Sequence, residues 1–334
     1  MADMNTNKIT LLIPARRADD KLTKCLRSVR SGTLVPKVIV LDLSTEDRTA
    51  DLIRRDDPEV TVFRMGMNPG RAHALNTGFH IAVTPFVMTL DPCMRVGKHC
   101  IEELYSAIRQ DEAVFSVQAA ILAEEGGIPV KEAGWSQNFA GEPYVKRYKG
   151  KQARRIGRIH STAACQIDAA MYRVEVLDTT GLLDERYYSV LEDADLGVRA
   201  RREGYRNLCV PRAVCMRQEN AVQSRFRAQL EIGNLEYFRY KNSSMGRLAV
   251  QPYLAVMQRL RSRKAERAGF GEAREAAIQR GRMMCFQAEM ELMEKTELGM
   301  SVTKQPLCEE FCMEVKDENL RNVYPLYLGE RAAQ

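Results

Sequence analysis

The chain has 334 residues, of which 45% are hydrophobic and 28% are charged, and its formal net charge is +6. This length and composition fit a soluble globular protein with one large domain and a smaller extension. The net charge is too low for the dense basic surface of a nucleic-acid-binding protein, so we expect no nucleic-acid partner. An anionic small ligand or an anionic membrane surface is compatible with it.

The N-terminal residues and the cysteines indicate the compartment. Residues 1–8 are polar and lack the charged and apolar regions of a signal peptide. No run approaches the roughly 18 apolar residues that a membrane span needs. The nine cysteines are odd in number and scattered, which favours reduced thiols. We therefore expect a cytoplasmic protein.

Short apolar runs alternate with helical patterns in the first third of the chain. They predict strands at 9–13, 38–42, 60–65, 86–90 and 113–120, and helices at 22–30, 49–55, 71–82 and 101–110. This alternation indicates an α/β fold with a largely parallel sheet flanked by helices. Ligands of such sheets bind at the carboxyl ends of the strands, where Pro14, Asp42 and Asp91 fall.

The middle of the chain is less regular. Residues 123–159 include the only tryptophan, Trp135, and lack clear periodicity, so we expect an irregular functional loop or lid. A strand at 169–173 and a helix at 193–203 are predicted after it.

Helix-forming sequence dominates the remainder, and we predict two domains, 1–220 and a mainly α-helical extension, 221–334. Residues 248–263 have the pattern of a basic amphipathic helix. Such a helix either contacts an anionic membrane surface or packs against protein. A methionine-rich stripe at 283–293 is typical of core packing or of a homodimer contact.

The ends of the first two predicted strands carry candidate ligand-binding residues. Pro14 is expected to end its strand because it cannot donate to the ladder, which leaves backbone groups near Pro14 and Arg16 free for a ligand. Asp42 ends the second strand. Its carboxylate can accept a hydrogen bond from the N3–H of a uracil or thymine ring.

Two further segments add glycine, asparagine and acidic residues. Residues 68–78 contain Asn68, Gly70 and Asn76, and a helix that begins at Arg71 directs its amides towards anionic groups. Asp91 ends a strand and is followed two residues later by Cys93. A carboxylate is a good ligand for Mg²⁺ or Mn²⁺, whereas a thiol is a poor one.

Three acidic residues, Glu192, Asp193 and Asp195, open a predicted helix. On their own they suit the positive end of the helix dipole. As a like-charged neighbour, Glu192 is also expected to raise the pKa of Asp193 towards a value useful for a general base.

In this order and spacing, the segments resemble glycosyltransferase family 2 with the GT-A fold, over residues 8–217. The resemblance implies inverting transfer of a sugar from a UDP- or dTDP-sugar to a glycan, lipid-linked or protein hydroxyl, as in cell-surface polysaccharide biosynthesis. It makes Asp193 the general base, with Glu192 beside it. It assigns the donor site to Pro14, Arg16, Asp42, Asn68, Gly70, Arg71, Asn76 and Asp91. The Gln-x-x-Arg-Trp pattern of processive synthases is absent, which favours a single transfer.

Two positions depart from the family pattern. Cys93 stands where the family places the second Asp of its metal-binding Asp-x-Asp, and Met216 and Arg217 occupy the region where many relatives carry a histidine. Three interpretations stay open. In the first, Asp91 holds Mg²⁺ or Mn²⁺ with help from phosphates and water. In the second, basic side chains neutralise the diphosphate, and the candidates are Arg71, Arg95, Lys98 and Arg217. In the third, catalysis is lost. The last would leave a non-catalytic nucleotide-sugar-binding or scaffold protein.

Overall fold

The computed structural model describes residues 8–44, 48–66, 68–125, 128–155, 157–218, 225–242, 256, 259–260, 263 and 271–297. The chain divides into two compact units, Met1–Glu231 and Ile232–Gln334. The assignment of 1–220 and 221–334 as separate domains stays a prediction.

A single mixed sheet forms the centre of the first unit. Its strands are β1 (Ile9–Ala15), β2 (Lys37–Asp42), β3 (Thr61–Arg64), β4 (Phe86–Leu90), β5 (Met94–Val96), β6 (Val114–Glu125), β7 (Ile128–Gln137), β8 (Pro143–Lys149), β9 (His160–Thr162), β10 (Ala169–Arg173) and β11 (Arg206–Arg217). The order is β3-β2-β1-β4-β10-β6-β11-β5, with β7 beside β6, β8 beside β7, and β9 beside β11. The α/β class predicted from the sequence is therefore confirmed.

The two halves of the sheet differ in strand direction. Strands β1, β2, β3 and β4 pair in parallel, as the strand–helix alternation predicts. β10 is antiparallel to both β4 and β6, and β5 is antiparallel to β11. Parallel pairing returns between β6 and β11. The carboxyl ends of β1, β2 and β4 thus share one edge of the sheet.

The helices of the first unit cover the sheet because their apolar faces are buried. They are α1 (Asp20–Arg30), α2 (Arg48–Asp56), α3 (Arg71–Ile81), α4 (Cys100–Ile108), α5 (Lys151–Arg155), α6 (Glu175–Thr180) and α7 (Glu192–Arg202). Helix α8 (Arg225–Asn242) begins in the first unit, and its residues from Ile232 onwards belong to the second. In β1 the side chains alternate between two apolar clusters. Leu11 and Ile13 join one, and Leu12 joins the other. The sheet is therefore buried on both sides.

Most predicted element ends agree with the structure to within two residues, but two expectations were wrong. The first strand does not end at Pro14, because Pro14 and Ala15 pair with Leu41 and Asp42 of β2. A proline lacks only the N–H, and the Ala15 carbonyl still accepts from Leu43 N at 2.8 Å.

The second wrong expectation concerns residues 123–159, which do not form an irregular loop. Their described part holds the end of β6, the antiparallel pair β7 and β8, and helix α5. The strand β8 lies at an edge and has many exposed side chains, so the alternation of apolar and polar residues is weak there.

The second unit is helical where it is described. Helix α9 (Gly271–Glu297) packs against α8 through Arg280, which donates to Asn234 at 2.8 Å, and through Tyr240, which donates to Glu289 at 3.1 Å. Most of the expected amphipathic helix at 248–263 lies outside the described residues. None of the described helices is long and apolar enough to cross a membrane.

Candidate active site

The carboxylate of Asp42 is buried at the end of β2. Its Oδ1 accepts from Ser44 N at 2.9 Å, whereas Oδ2 is buried and has no hydrogen-bond partner among the described residues. An unpaired buried carboxylate oxygen is costly and therefore marks a place where a ligand donor fits. On the neighbouring strand Pro14 is half-buried, and Arg16 beyond it is exposed.

The segment before α3 packs closely against the loop before α7. Gly70 has φ +96°, and a Cβ there would lie 2.5 Å from Cδ2 of Tyr188. Ala72 N donates to Tyr188 O at 3.1 Å. Asn68 Oδ1 accepts from Gly70 N at 3.4 Å, which closes the turn that precedes the helix. Residues 68–72 therefore hold the Tyr188 loop in place.

Asn76 uses its amide to anchor the same region. Its Nδ2 donates to Leu183 O at 2.8 Å and to Glu185 Oε1 at 2.9 Å, and its Oδ1 accepts from Leu183 N at 3.0 Å. One turn earlier on α3, His73 Nδ1 lies 2.7 Å from Glu185 Oε2. The predicted donor-site residue Asn76 thus contacts the 183–185 segment.

Asp193 lies in the first turn of α7, directly after a strained stretch of backbone. Tyr188, Val190 and Leu191 all have positive φ, at 59°, 75° and 73°. Non-glycine residues rarely adopt this conformation, and such strain is concentrated at functional sites. It turns the chain sharply so that α7 begins with Glu192 and Asp193 pointing into the protein, where both are buried.

Two backbone amides hold the Asp193 carboxylate. Ile167 N donates to Oδ2 at 3.0 Å and Ala194 N donates to Oδ1 at 2.8 Å. Burial, followed by the charge of Glu192, raises the pKa of Asp193 to about 6, against the opposing effects of Arg71, Ile167 N and Trp135. A carboxylate with a pKa near 6 is ionised at neutral pH and still accepts a proton readily.

One network, which we call the arginine–carboxylate cluster, consists of Arg71, Glu132, Asp168, Glu192 and Arg217. Its two glutamates are buried, and the other three side chains are half-buried. Arg71 donates to Glu192 at 2.7 Å and to Asp168 Oδ1 at 2.9 Å. Arg217 donates to Asp168 Oδ2 at 3.3 Å and to Glu132 at 2.9 Å. The Asp168 carboxylate therefore bridges two guanidinium groups.

The Asp91–Cys93 corner lies next to this cluster. Asp91 N donates to Asp168 O at 2.9 Å, and Asp91 Oδ1 accepts from Cys93 N at 2.8 Å. Burial and the Asp168 carboxylate raise the pKa of Asp91, although Cys93 N, Arg71 and Arg217 oppose the change. Burial and Asp91 raise the pKa of the Cys93 thiol to about 11, so it is protonated at neutral pH.

The side chains at this corner do not fit a tightly held divalent cation. A protonated thiol is a poor ligand for Mg²⁺ or Mn²⁺, and Asp91 is the remaining carboxylate of the expected pair. Arg217, which lies at the end of β11 beside this corner, is a cation itself. Among the described residues, no group of three His, Cys, Asp or Glu side chains has the arrangement of a metal site. The expectation of Mg²⁺ or Mn²⁺ at Asp91 thus lacks a supporting ligand set.

Two residues of this site, Glu132 and Asp168, were not predicted from the sequence, and neither was the position of Trp135 close to Asp193. Trp135 lies on β7, where its backbone pairs with Ala163 and Ala164, and this brings its indole beside Asp193. Asp168 directly precedes β10. In the sequence, its one sign was an acidic residue next to the start of a predicted buried strand. Arg95 and Lys98, the other candidates for phosphate contact, are exposed.

The described residues thus combine a parallel half-sheet, a buried acid at the end of β2 and, on α7, a buried acid with a raised pKa. The family model described as glycosyl transferase family 2 matches residues 10–181. The chain therefore belongs to glycosyl transferase family 2.

Two curated relatives are similar to the chain at low identity. The O-antigen biosynthesis protein RfbC of Myxococcus xanthus is 26% identical over 232 residues, which is 65% of this chain and 18% of that protein. The low-salt glycan biosynthesis hexosyltransferase Agl10 of Haloferax volcanii is 25% identical over 201 residues, which is 58% of this chain and 62% of that protein. The chain thus spans less than two thirds of either relative.

Solved structures with the same fold include two glycosyltransferases. GalNAc-T7 with UDP, GalNAc and Mn²⁺ has a TM-score of 0.52 and 16% identity, and the match covers 67% of this chain and 47% of that one. The mannosyltransferase PcManGT from Pyrobaculum calidifontis, in complex with GDP-Man and Mn²⁺, has a TM-score of 0.53 and 14% identity, covering 88% and 76%. These matches confirm the GT-A fold.

Proposed function

We propose that this chain transfers a single sugar from a UDP- or dTDP-sugar to an acceptor hydroxyl and inverts the anomeric configuration. One observation carries the proposal. Ile167 N donates to Asp193 at 3.0 Å, and the next residue, Asp168, accepts from Asp91 N at 2.9 Å. Two consecutive residues therefore link the proposed base to the proposed diphosphate corner, so a donor sugar would lie between them.

The donor would bind along the edge formed by β1, β2 and β4. We assign Asp42 to the base because its free Oδ2 can accept the N3–H of uracil or thymine. Pro14 and Arg16 would flank that base, and Asp91 would lie beside the diphosphate. Asn68, Gly70 and Asn76 would support the pocket by fixing the Tyr188 and Leu183 segments. This is a positioning role.

In the chemical step, the Asp193 carboxylate takes the proton from the acceptor hydroxyl. The acceptor oxygen forms a bond to the anomeric carbon while the bond from that carbon to the diphosphate oxygen breaks, and the nucleoside diphosphate leaves with its electrons. Glu192 would act beside it by raising the pKa of Asp193. A single displacement from the opposite face inverts the carbon.

The acceptor would approach from the side of β7 and β8. Trp135 on β7 lies close to Asp193, and its indole ring would offer an apolar face to the acceptor. We propose a glycan, lipid-linked or protein hydroxyl, in keeping with relatives named for O-antigen and glycan biosynthesis. A cytoplasmic location, peripheral membrane contact through 248–263 and a homodimer through the C-terminal helices belong to the same proposal.

A donor panel tests the function. UDP-, dTDP- and GDP-sugars are titrated by calorimetry, and nucleotide release is then measured with mixed acceptors. Binding of a UDP- or dTDP-sugar, with release that Asp193→Asn abolishes, supports the transferase. Binding without release, and without any effect of Asp193→Asn, favours the second candidate, a non-catalytic nucleotide-sugar-binding protein, for which the altered residue Cys93 is the specific observation.

A further inference from the structure

We propose that Arg217 and Arg71 take the place of a divalent cation, so that the chain binds the donor diphosphate without a metal. The inference rests on the proposed function, since it names the groups that would meet the diphosphate of the donor.

The two guanidinium groups already converge on one anion. Asp168 Oδ1 accepts from Arg71 at 2.9 Å and Asp168 Oδ2 accepts from Arg217 at 3.3 Å. Each arginine is at most about a fifth exposed, with side-chain values of 18% and 15%. A guanidinium has five donors in a planar fork, so it can bind a carboxylate and a phosphate oxygen together. The two arginines thus already hold one anionic group, the Asp168 carboxylate, and the diphosphate would bind to their remaining N–H donors.

This pair of arginines lies at the corner where the family places its metal. Arg217 ends β11 and pairs in register with Met94, the residue after Cys93. The next residue, Gln218, donates through its N–H to Cys93 O at 2.9 Å. The two departures from the family pattern, at positions 93 and 217, are therefore neighbours in space. One change removes a hard oxygen ligand, and the other supplies a permanent positive charge.

With the departures at positions 93 and 217, positive charge for the leaving diphosphate would come from arginine side chains. A leaving diphosphate gains negative charge as the sugar bond breaks, and fixed cations in a water-poor site stabilise that charge. Glu132 contacts Arg217 at 2.9 Å and Glu192 contacts Arg71 at 2.7 Å. These contacts limit the reorganisation of the two guanidinium groups.

Calorimetry with UDP, or with dTDP if that nucleotide binds better, tests the inference. The wild-type chain is titrated in excess EDTA and again with Mn²⁺, and the dissociation constants are expected to agree within about threefold. Arg217→Gln is expected to weaken binding in EDTA by about tenfold or more, because a charge-assisted contact is lost. Arg217→Lys, which keeps the charge, should weaken it less.

Two variants complete the design. Arg212→Gln changes an exposed arginine of the same strand and should leave the dissociation constant unchanged. The double variant Cys93→Asp with Arg217→His introduces one oxygen ligand and one nitrogen ligand at this corner. It should bind UDP more tightly with Mn²⁺ than in EDTA, and should bind Mn²⁺ itself, as followed by the electron paramagnetic resonance of the free ion.

Wild-type binding that disappears in EDTA overturns the inference, as does an Arg217→Gln variant that folds normally and binds as tightly as wild type. If Arg217→Gln does not fold, the comparison of wild type in EDTA and Mn²⁺ still decides. If no nucleotide binds under either condition, the proposed function fails instead.

Discussion

The two ends of the candidate site hold their charged groups in different ways. At the catalytic end, Asp193 is held by two backbone amides, at 3.0 Å and 2.8 Å. At the diphosphate end, Asp168 is held by two arginine side chains. At Asp193, burial and the charge of Glu192 outweigh these amides and Arg71 and raise the pKa, whereas direct contact with two guanidiniums keeps Asp168 ionised. Burial raises the pKa of Asp168, but Arg71 and Arg217 outweigh it and hold the pKa below its ordinary value. The comparison separates a proton-accepting end from a charge-neutralising end.

The largest effect should come from the catalytic end. Asp193→Asn removes the proposed proton acceptor, and we expect the transfer rate to fall by about a thousandfold, within the usual contribution of general base catalysis. The dissociation constant of UDP should change little, because the base acts on the acceptor. Nucleotide release and calorimetry measure the two quantities.

The exposed acid Asp178 on α6 provides the control, since Asp178→Asn alters the same charge outside the site. A loss of UDP binding in Asp193→Asn equal to the loss of rate would contradict the separation of the two ends.

The sequence predicted the two ends unequally. The proposed base, Asp193, lies in the contiguous motif Glu192-Asp193, so its position in the chain was enough to propose it. The arginine–carboxylate cluster instead joins side chains from β7, α3 and β11, which are far apart in sequence, and Asp168 carries no local pattern. Such a cluster depends on the order and direction of the strands, and the strand direction reverses at the antiparallel β10. The α/β alternation could not predict that reversal.

The next effect concerns how the catalytic end is supported. Gly70→Ala places a Cβ 2.5 Å from Tyr188 in a backbone with φ +96°, and we expect a loss of about 3 kcal/mol in the free energy of unfolding. Gly66→Ala is the matched control, because Gly66 has φ +71° with nothing within 4 Å of its would-be Cβ, so only the backbone strain of about 1 kcal/mol applies. Denaturant unfolding measures both variants. Equal losses would mean that the contact with Tyr188 does not support the loop before α7.

A third test addresses the nucleotide base, away from both ends. Asp42→Asn keeps an acceptor for Ser44 N and puts an NH₂ donor at the position of the unpaired Oδ2. Two donors then face each other at uracil N3, so we expect UDP binding to weaken by about tenfold or more. Cytosine has an acceptor at N3, so the ratio of CDP to UDP affinity should rise. Asp51→Asn, on the exposed face of α2, is the control. Unchanged UDP affinity would remove Asp42 from the base contact.

The smallest effect tests the link between the two ends, which is Glu192. This carboxylate accepts from Arg71 at 2.7 Å and also raises the pKa of Asp193. Because the base must be ionised, kcat/KM should rise with pH and level off above a midpoint near the Asp193 pKa of about 6. Glu192→Gln removes the like charge and leaves Arg71 to favour the ionised form, so the midpoint should move to lower pH.

A pH series of kcat/KM for wild type, Glu192→Gln and the control Glu203→Gln measures this shift. Glu203 is an exposed acid at the end of the same helix and should leave the midpoint where it is. A midpoint that does not move in Glu192→Gln would mean that burial alone sets the pKa of Asp193. The cluster would then influence the charge of the diphosphate without influencing the proton, and the two ends would work independently.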